Sequence, residues 1–116
     1  GICFSPDEKR MYIADTARGI RVFQVEGKTA TGKGEIIRWR SEASPDGIKC
    51  DAAGNIYMNG NEGVNVFSPQ GEPICVLNTP EQTINHCFGG PDGKTLFIAG
   101  KTGLYRIELK IKGAGL

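Results

Sequence analysis

The sequence predicts an all-β protein built as part of a β-propeller, and three observations support this prediction. Three stretches of the 116-residue chain repeat one order of strand, tight turn, strand, glycine and strand. They recur at spacings close to the length of one propeller blade. No window shows the sustained i, i+3, i+4, i+7 apolar spacing of an amphipathic helix, so almost no helix is expected.

The first strands of the three repeats align without gaps. "GICFS", which begins at Gly1, lies over "GIKCD" from Gly47, and both lie over "NHCFG" from Asn85. A polar turn follows in each repeat ("PDEKR", "AAGN", "GPDGK"), then a second apolar strand, and then a glycine that begins a third strand ("GIRVFQV", "GVNVFSP", "GLYRIEL"). Short apolar segments bounded by turn-forming residues are typical of strands. The predicted strands are Ile2–Ser5, Met11–Asp15, Ile20–Val25, Glu35–Trp39, Gly47–Asp51, Ile56–Asn59, Val64–Phe67, Ile74–Leu77, Asn85–Phe88, Leu96–Ala99 and Leu104–Leu109.

The length and number of the repeats predict the domain organisation. Gly1 and Gly47 are 46 positions apart, and Gly47 and Asn85 are 38 apart. A fourth strand follows the first two repeats but not the third. We therefore predict one partial propeller domain over residues 1–116, with blade-like repeats at about 1–40, 41–80 and 81–116. Since propellers close with about four to eight blades, the chain is expected to be a piece of a longer protein.

Charge and composition exclude several classes of partner. Lys and Arg number 14 against 13 Asp and Glu, without a basic cluster for nucleic acid or an anionic membrane. The longest apolar runs have four or five residues, far below the roughly 20 that span a bilayer. We expect neither nucleic acid nor a membrane as a partner.

The four cysteines, at positions 3, 50, 75 and 87, form no CxxC motif, and the chain has one histidine, so the residues give little support to a zinc site. Cys3, Cys50 and Cys87 occupy equivalent apolar strand positions and are predicted to be buried free thiols, which favours a reducing compartment such as the cytoplasm. The sequence shows no targeting signal that would assign the location.

Taken together, the motifs resemble those of a known family. "GICFSPDEKRMYIADT", "SPDGIKCDAAGNIYMNGNEGVNVFSPQGE" and "FGGPDGKTLFIAGKTGLYRI", in this order, are similar to the second half of the regucalcin–gluconolactonase family of calcium-dependent lactonases. The resemblance covers Gly1 to about Lys112. It implies about three blades of a six-bladed ring, a small lactone as substrate, and a missing N-terminal half as the partner that completes the propeller. It also implies a divalent metal at one mouth of the central channel, Ca²⁺ first, with Mg²⁺, Mn²⁺ or Zn²⁺ as alternatives.

Asp46 is the candidate catalytic and metal-binding residue. The family's metal-binding aspartate in a "PDG" motif maps onto Asp46, and the resemblance implies that it is both ligand and general base. The family's other two protein ligands, an asparagine directly before the position of Gly1 and a glutamate of an early blade, are not in this chain. The chain alone is therefore expected to have little activity. The alternative is that Pro45-Asp46-Gly47 is only a turn, because Pro presets φ and Gly permits positive φ.

The other polar candidates are weaker. Asn85 aligns with Gly47, next to the ligand position, and is a candidate substrate contact. His86 aligns with apolar strand positions, which favours a place in the core or between blades. Asp7, Asp15 and Asp92 are predicted to cap turns. Because a propeller fold does not decide function, a non-catalytic module that binds a ligand or a protein is the alternative to the lactonase.

Overall fold

The computed structural model describes residues 1–39 and 45–116, and all regular structure in these residues is β-strand. The strands are β1 (Ile2–Phe4), β2 (Arg10–Asp15), β3 (Gly19–Glu26), β4 (Thr29–Trp39), β5 (Ile48–Cys50), β6 (Ile56–Gly60), β7 (Gly63–Phe67), β8 (Pro73–Asn78), β9 (Thr83–Gly89), β10 (Thr95–Gly100) and β11 (Leu104–Glu108). The described part of the chain contains no helix that could cross a bilayer.

The strands form three antiparallel sheets in chain order. The first sheet contains β1 to β4, the middle sheet β5 to β8 and the third sheet β9 to β11, and in each sheet neighbours in the chain are neighbours in space. This confirms the predicted all-β architecture of three blade-like sheets. Strand β4 begins at Thr29 rather than at the predicted Glu35, because a tight turn at Gly27, with φ of 62°, already pairs Glu26 with Thr29.

The middle sheet packs against both of its neighbours through opposite faces. Its side chains Ile56, Met58 and Phe67 join the core shared with the first sheet. Tyr57 and Val64 join the core shared with the third sheet. Because both faces are covered, β6 is buried along its whole length and lacks the alternation of a half-exposed strand.

The β5–β6 hairpin is held by one buried carboxylate, that of Asp51. Its Oδ1 accepts hydrogen bonds from the backbone N–H groups of Ala53 and Asn55, both at 2.9 Å. Its Oδ2 accepts from Asn55 Nδ2 at 2.8 Å and from the Tyr57 hydroxyl at 3.2 Å. Burial, together with the Asp51 carboxylate, raises the pKa of Tyr57, so its hydroxyl stays protonated as a donor. The sequence predicts a polar turn here but not a buried carboxylate at its centre.

Candidate functional site

Asp46 lies two residues before β5, the first strand of the middle sheet, and is exposed between two buried neighbours, Pro45 and Gly47. The backbone of these three residues forms neither a turn nor a bend, and the φ of Gly47 lies outside the left-handed region. The proposed turn therefore lacks the positive φ for which its glycine would be needed. Among the residues that the structure describes, none hydrogen-bonds or ion-pairs with the Asp46 carboxylate.

The backbone beside Asp46 is fixed from two sides. The N–H of Gly47 donates to the carbonyl of Ile84 on the third sheet at 3.2 Å, and the carbonyl of Gly47 accepts from the N–H of Asn59 on β6 at 3.0 Å. A Cβ added at position 47 would lie 2.5 Å from the Oδ1 atoms of both Asn59 and Asn85. Glycine is therefore required here by space, and the backbone next to Asp46 is held where the middle and third sheets meet.

Asn59 and His86 form a buried pair next to Gly47. His86 Nδ1 is 2.6 Å from Asn59 Oδ1, and both side chains are almost completely buried. Since the amide oxygen is an acceptor, the histidine carries its proton on Nδ1 and donates it. The Nε2 of His86 and the Nδ2 of Asn59 are buried without a hydrogen-bond partner in the described part of the chain. His86 thus lies between two sheets, where its alignment with apolar positions predicts it.

Asn85 is exposed next to this pair, and its side chain is oriented by the backbone. Its Oδ1 accepts a hydrogen bond from the N–H of His86 at 2.9 Å. This hydrogen bond uses the amide oxygen as an acceptor. The NH₂ group of Asn85 remains as a hydrogen-bond donor for a ligand. Sequence analysis identified Asn85 but missed Asn59. The only signal for Asn59 is a polar residue that ends the otherwise apolar run "IYM".

The acidic residues predicted to cap turns do so. Asp15 Oδ1 accepts from the N–H groups of Ala17 and Arg18 at 3.0 and 3.1 Å. Asp7 and Asp92 accept from the N–H groups two residues further along their hairpins. These carboxylates are engaged in local structure, which distinguishes them from Asp46.

The cysteines differ from their prediction. All four are free thiols, but only Cys50 is buried; Cys3 is half-buried, and Cys75 and Cys87 are exposed. The prediction of burial was wrong for Cys87, because β9 is an edge strand of the third sheet and most of its side chains are exposed or half-buried.

The donor set suits a hard cation but does not make a complete metal site. A carboxylate oxygen such as that of Asp46 is a preferred ligand of Ca²⁺, which takes six to eight oxygens. No group of three His, Cys, Asp or Glu residues within 1–39 and 45–116 is placed to hold a metal. The described residues therefore fit the role of contributing one ligand, Asp46, to such a site.

The sequence profile described as the SMP-30/gluconolactonase/LRE-like region matches residues 1–102. The chain belongs to this family. Among curated members of the SMP-30/gluconolactonase family, the gluconolactonase of Zymomonas mobilis is 28% identical, over 97% of this chain and 35% of the relative. The chain spans about a third of the length of the curated relatives it matches.

Solved structures of the SMP-30/gluconolactonase family have the same fold. A gluconolactonase from Xanthomonas campestris superimposes with a TM-score of 0.85 at 27% identity, covering 94% of this chain and 37% of that one. A regucalcin from Agrobacterium tumefaciens, described as a calcium-binding protein, gives a TM-score of 0.81 at 30% identity, covering all of this chain and 46% of that one. The family resemblance and the propeller-type fold predicted from the sequence are thus confirmed.

The buried histidine makes stability depend on pH in a defined direction. Burial lowers the pKa of His86 to about 3, whereas an unfolded chain binds this proton near pH 6.5. Below about pH 6.5 the unfolded state therefore binds more protons, and the free energy of unfolding falls by about 1.4 kcal/mol per pH unit until the pH approaches the folded pKa. Above about pH 6.5 this contribution is fully present.

Urea unfolding of the parent chain and of His86→Gln at several values between about pH 7 and pH 4 checks this prediction. Glutamine keeps a donor for Asn59 but does not titrate. We expect the stability difference between the two proteins to shift steadily in favour of His86→Gln as the pH falls. Parallel pH profiles would contradict a neutral, buried His86.

Proposed function

We propose that this protein contributes the Asp46 side of the catalytic site of a gluconolactonase-like hydrolase, which opens small sugar lactones. The observation that carries the proposal is the exposed Asp46 carboxylate, which pairs with no residue that the structure describes and lies beside a backbone held by two hydrogen bonds, in a chain of the SMP-30/gluconolactonase family. The names of the relatives support a lactone as the substrate class.

In the proposed reaction Asp46 is the general base. Water attacks the lactone carbonyl, and a carboxylate within hydrogen-bond reach accepts the proton that this water loses. The NH₂ group of Asn85 is the candidate donor to a substrate oxygen, because its own oxygen is held by His86. When bound, a divalent cation, Ca²⁺ first, would polarise the carbonyl and stabilise the negative charge that develops on its oxygen.

Asp46 has a second role in the proposal, as one ligand of that cation. A hard cation requires several further oxygens, and the proposal assigns these to residues outside the described ones. We accordingly expect the 116-residue chain to turn over little lactone by itself. Turnover by this chain comparable with that of the Xanthomonas campestris gluconolactonase would contradict the proposed division of the site.

A chimera tests the function directly. The segment of the Xanthomonas campestris gluconolactonase that superimposes on this chain is replaced by residues 1–116. Opening of gluconolactone is then followed by acid release with Ca²⁺ and with a chelator. We expect Ca²⁺-dependent turnover. A folded chimera that binds Ca²⁺ and lactone without turnover would favour the non-catalytic binding module instead.

A further inference from the structure

Two thiols meet between β1 and β5, the first strands of the first and middle sheets. Cys3 on β1 and Cys50 on β5 are 47 residues apart in sequence, yet their Sγ atoms are 3.6 Å apart. The proposed hydrolysis uses neither of them. The pair is a feature of the fold separate from the Asp46 site.

The two sulfurs are close enough to form a disulfide after small movements of the two side chains and their strands. A disulfide has an S–S distance of about 2.05 Å, so the two sulfurs must approach by about 1.5 Å. Strands β1 and β5 already lie side by side, since a Cβ added at Gly1 would lie 2.9 Å from the backbone N of Ile48. Side-chain rotation and a small shift of two adjacent strands would supply the approach.

A cavity of about 330 Å³ lies against the thiol pair. Its lining includes Cys3, Cys50 and Lys49, together with Cys87 and Phe88 on β9. Asp46 and Asn85 are not part of this lining. The cavity beside the thiol pair is therefore lined by residues other than the two candidate site residues.

The surroundings give the two sulfurs different reactivities. The hydrogen bond between the two sulfurs, with a smaller contribution from the Lys49 ammonium, lowers the pKa of Cys3. The same hydrogen bond and burial raise the pKa of Cys50. Cys3 is half-buried whereas Cys50 is buried, so a solute reaches Cys3 first. Since the thiolate is the reactive form of cysteine, exposure and pKa both assign Cys3 as the nucleophile of the pair and Cys50 as the second thiol that reacts with it.

We propose that Cys3 and Cys50 are a redox-active dithiol, which hydrogen peroxide oxidises to a disulfide linking the first and middle sheets. The Cys3 thiolate attacks the O–O bond, one peroxide oxygen stays on sulfur as the sulfenic acid, and the other leaves as hydroxide and takes a proton to form water. Cys50 then attacks the sulfenic sulfur and releases a second water with its own proton. Two thiols lose two electrons and one molecule of hydrogen peroxide is reduced.

The experiment treats the whole chain with hydrogen peroxide under native conditions. Digestion without reductant is followed by mass spectrometry to locate linked peptides. We expect a Cys3–Cys50 linkage with loss of two hydrogen atoms, and a melting temperature raised by several degrees that returns to its starting value with a dithiol reductant. Free thiols at both positions after treatment would overturn the proposal.

Serine variants separate this pair from general thiol oxidation. In Cys50→Ser we expect Cys3 to stop at the sulfenic acid, which a cyclic 1,3-diketone reagent captures. Cys75→Ser and Cys87→Ser are matched controls and should form the linkage at the parent rate. Linkage through Cys87 in place of Cys50, or oxidation of Cys3 no faster than that of exposed Cys75, would overturn the assignment. Melting curves of each reduced variant verify that it is folded.

Discussion

Asp46→Asn is expected to remove lactone hydrolysis in the chimera and to leave the three sheets folded. The change deletes the proposed base and one negative charge at the metal, while keeping an oxygen of similar position. Loss of a general base costs about 10²–10⁴-fold in rate, and we expect a fall in kcat/KM of at least this size with weaker Ca²⁺ binding. Steady-state kinetics, calcium titration and circular dichroism measure the three quantities.

Asp92→Asn is the matched control for this substitution. Asp92 is also an exposed aspartate between Pro and Gly, but its carboxylate accepts from the N–H of Lys94 in a hairpin turn. We expect its turnover to be unchanged. Asparagine is accepted in turns as readily as aspartate. Normal turnover and calcium affinity in Asp46→Asn would therefore mean that Asp46 has a structural role only.

Asp51→Ala produces the largest expected loss of stability. The substitution leaves the N–H groups of Ala53 and Asn55, the Asn55 amide and the Tyr57 hydroxyl without their acceptor. The Tyr57 hydroxyl is buried and the other three donors are partly buried; a fully buried donor without a partner costs about 1–3 kcal/mol, and a partly buried one costs less because water replaces its acceptor. We expect the free energy of unfolding to fall by about 3 kcal/mol or more, measured by urea denaturation.

Two further variants test the cause of that loss. Tyr57→Phe added to Asp51→Ala removes one unpaired donor, so the double variant should lose less than the sum of the two single losses. Asp92→Ala removes a carboxylate from an exposed turn and should change stability by about 0.5 kcal/mol at most. Equal losses at positions 51 and 92 would contradict the role of burial.

The repeat made it possible to predict the strands, but not the contacts between the sheets. Glycine and polar turns punctuate each repeat, and this local chemistry determines where strands begin and end. The position of Asp51 is occupied by Ser5 in the first repeat and Gly89 in the third. Comparison of the repeats therefore does not predict a buried carboxylate at this position. The sequence also does not show which faces of two neighbouring sheets pack against each other. This packing brings Asn59 of the middle sheet next to His86 of the third sheet.

The candidate site shows the same division. The exposure of Asp46 follows from its place beside an inner strand, which the repeat predicts. The neighbouring residues in the sequence do not show why position 47 must be glycine. The motif "PDG" suggests conformational freedom, whereas the structure shows close packing against amides from β6 and β9.

The double coverage of the middle sheet has a consequence for how the molecule opens. Amides of β6 and β7 exchange with solvent only after a neighbouring sheet has separated from them, because their strands are shielded on both faces. Edge strands such as β8 and β11 expose most of their side chains and need smaller fluctuations. The slowest-exchanging amides should therefore lie at the centre of the row of sheets, and local opening should spread inward from its ends.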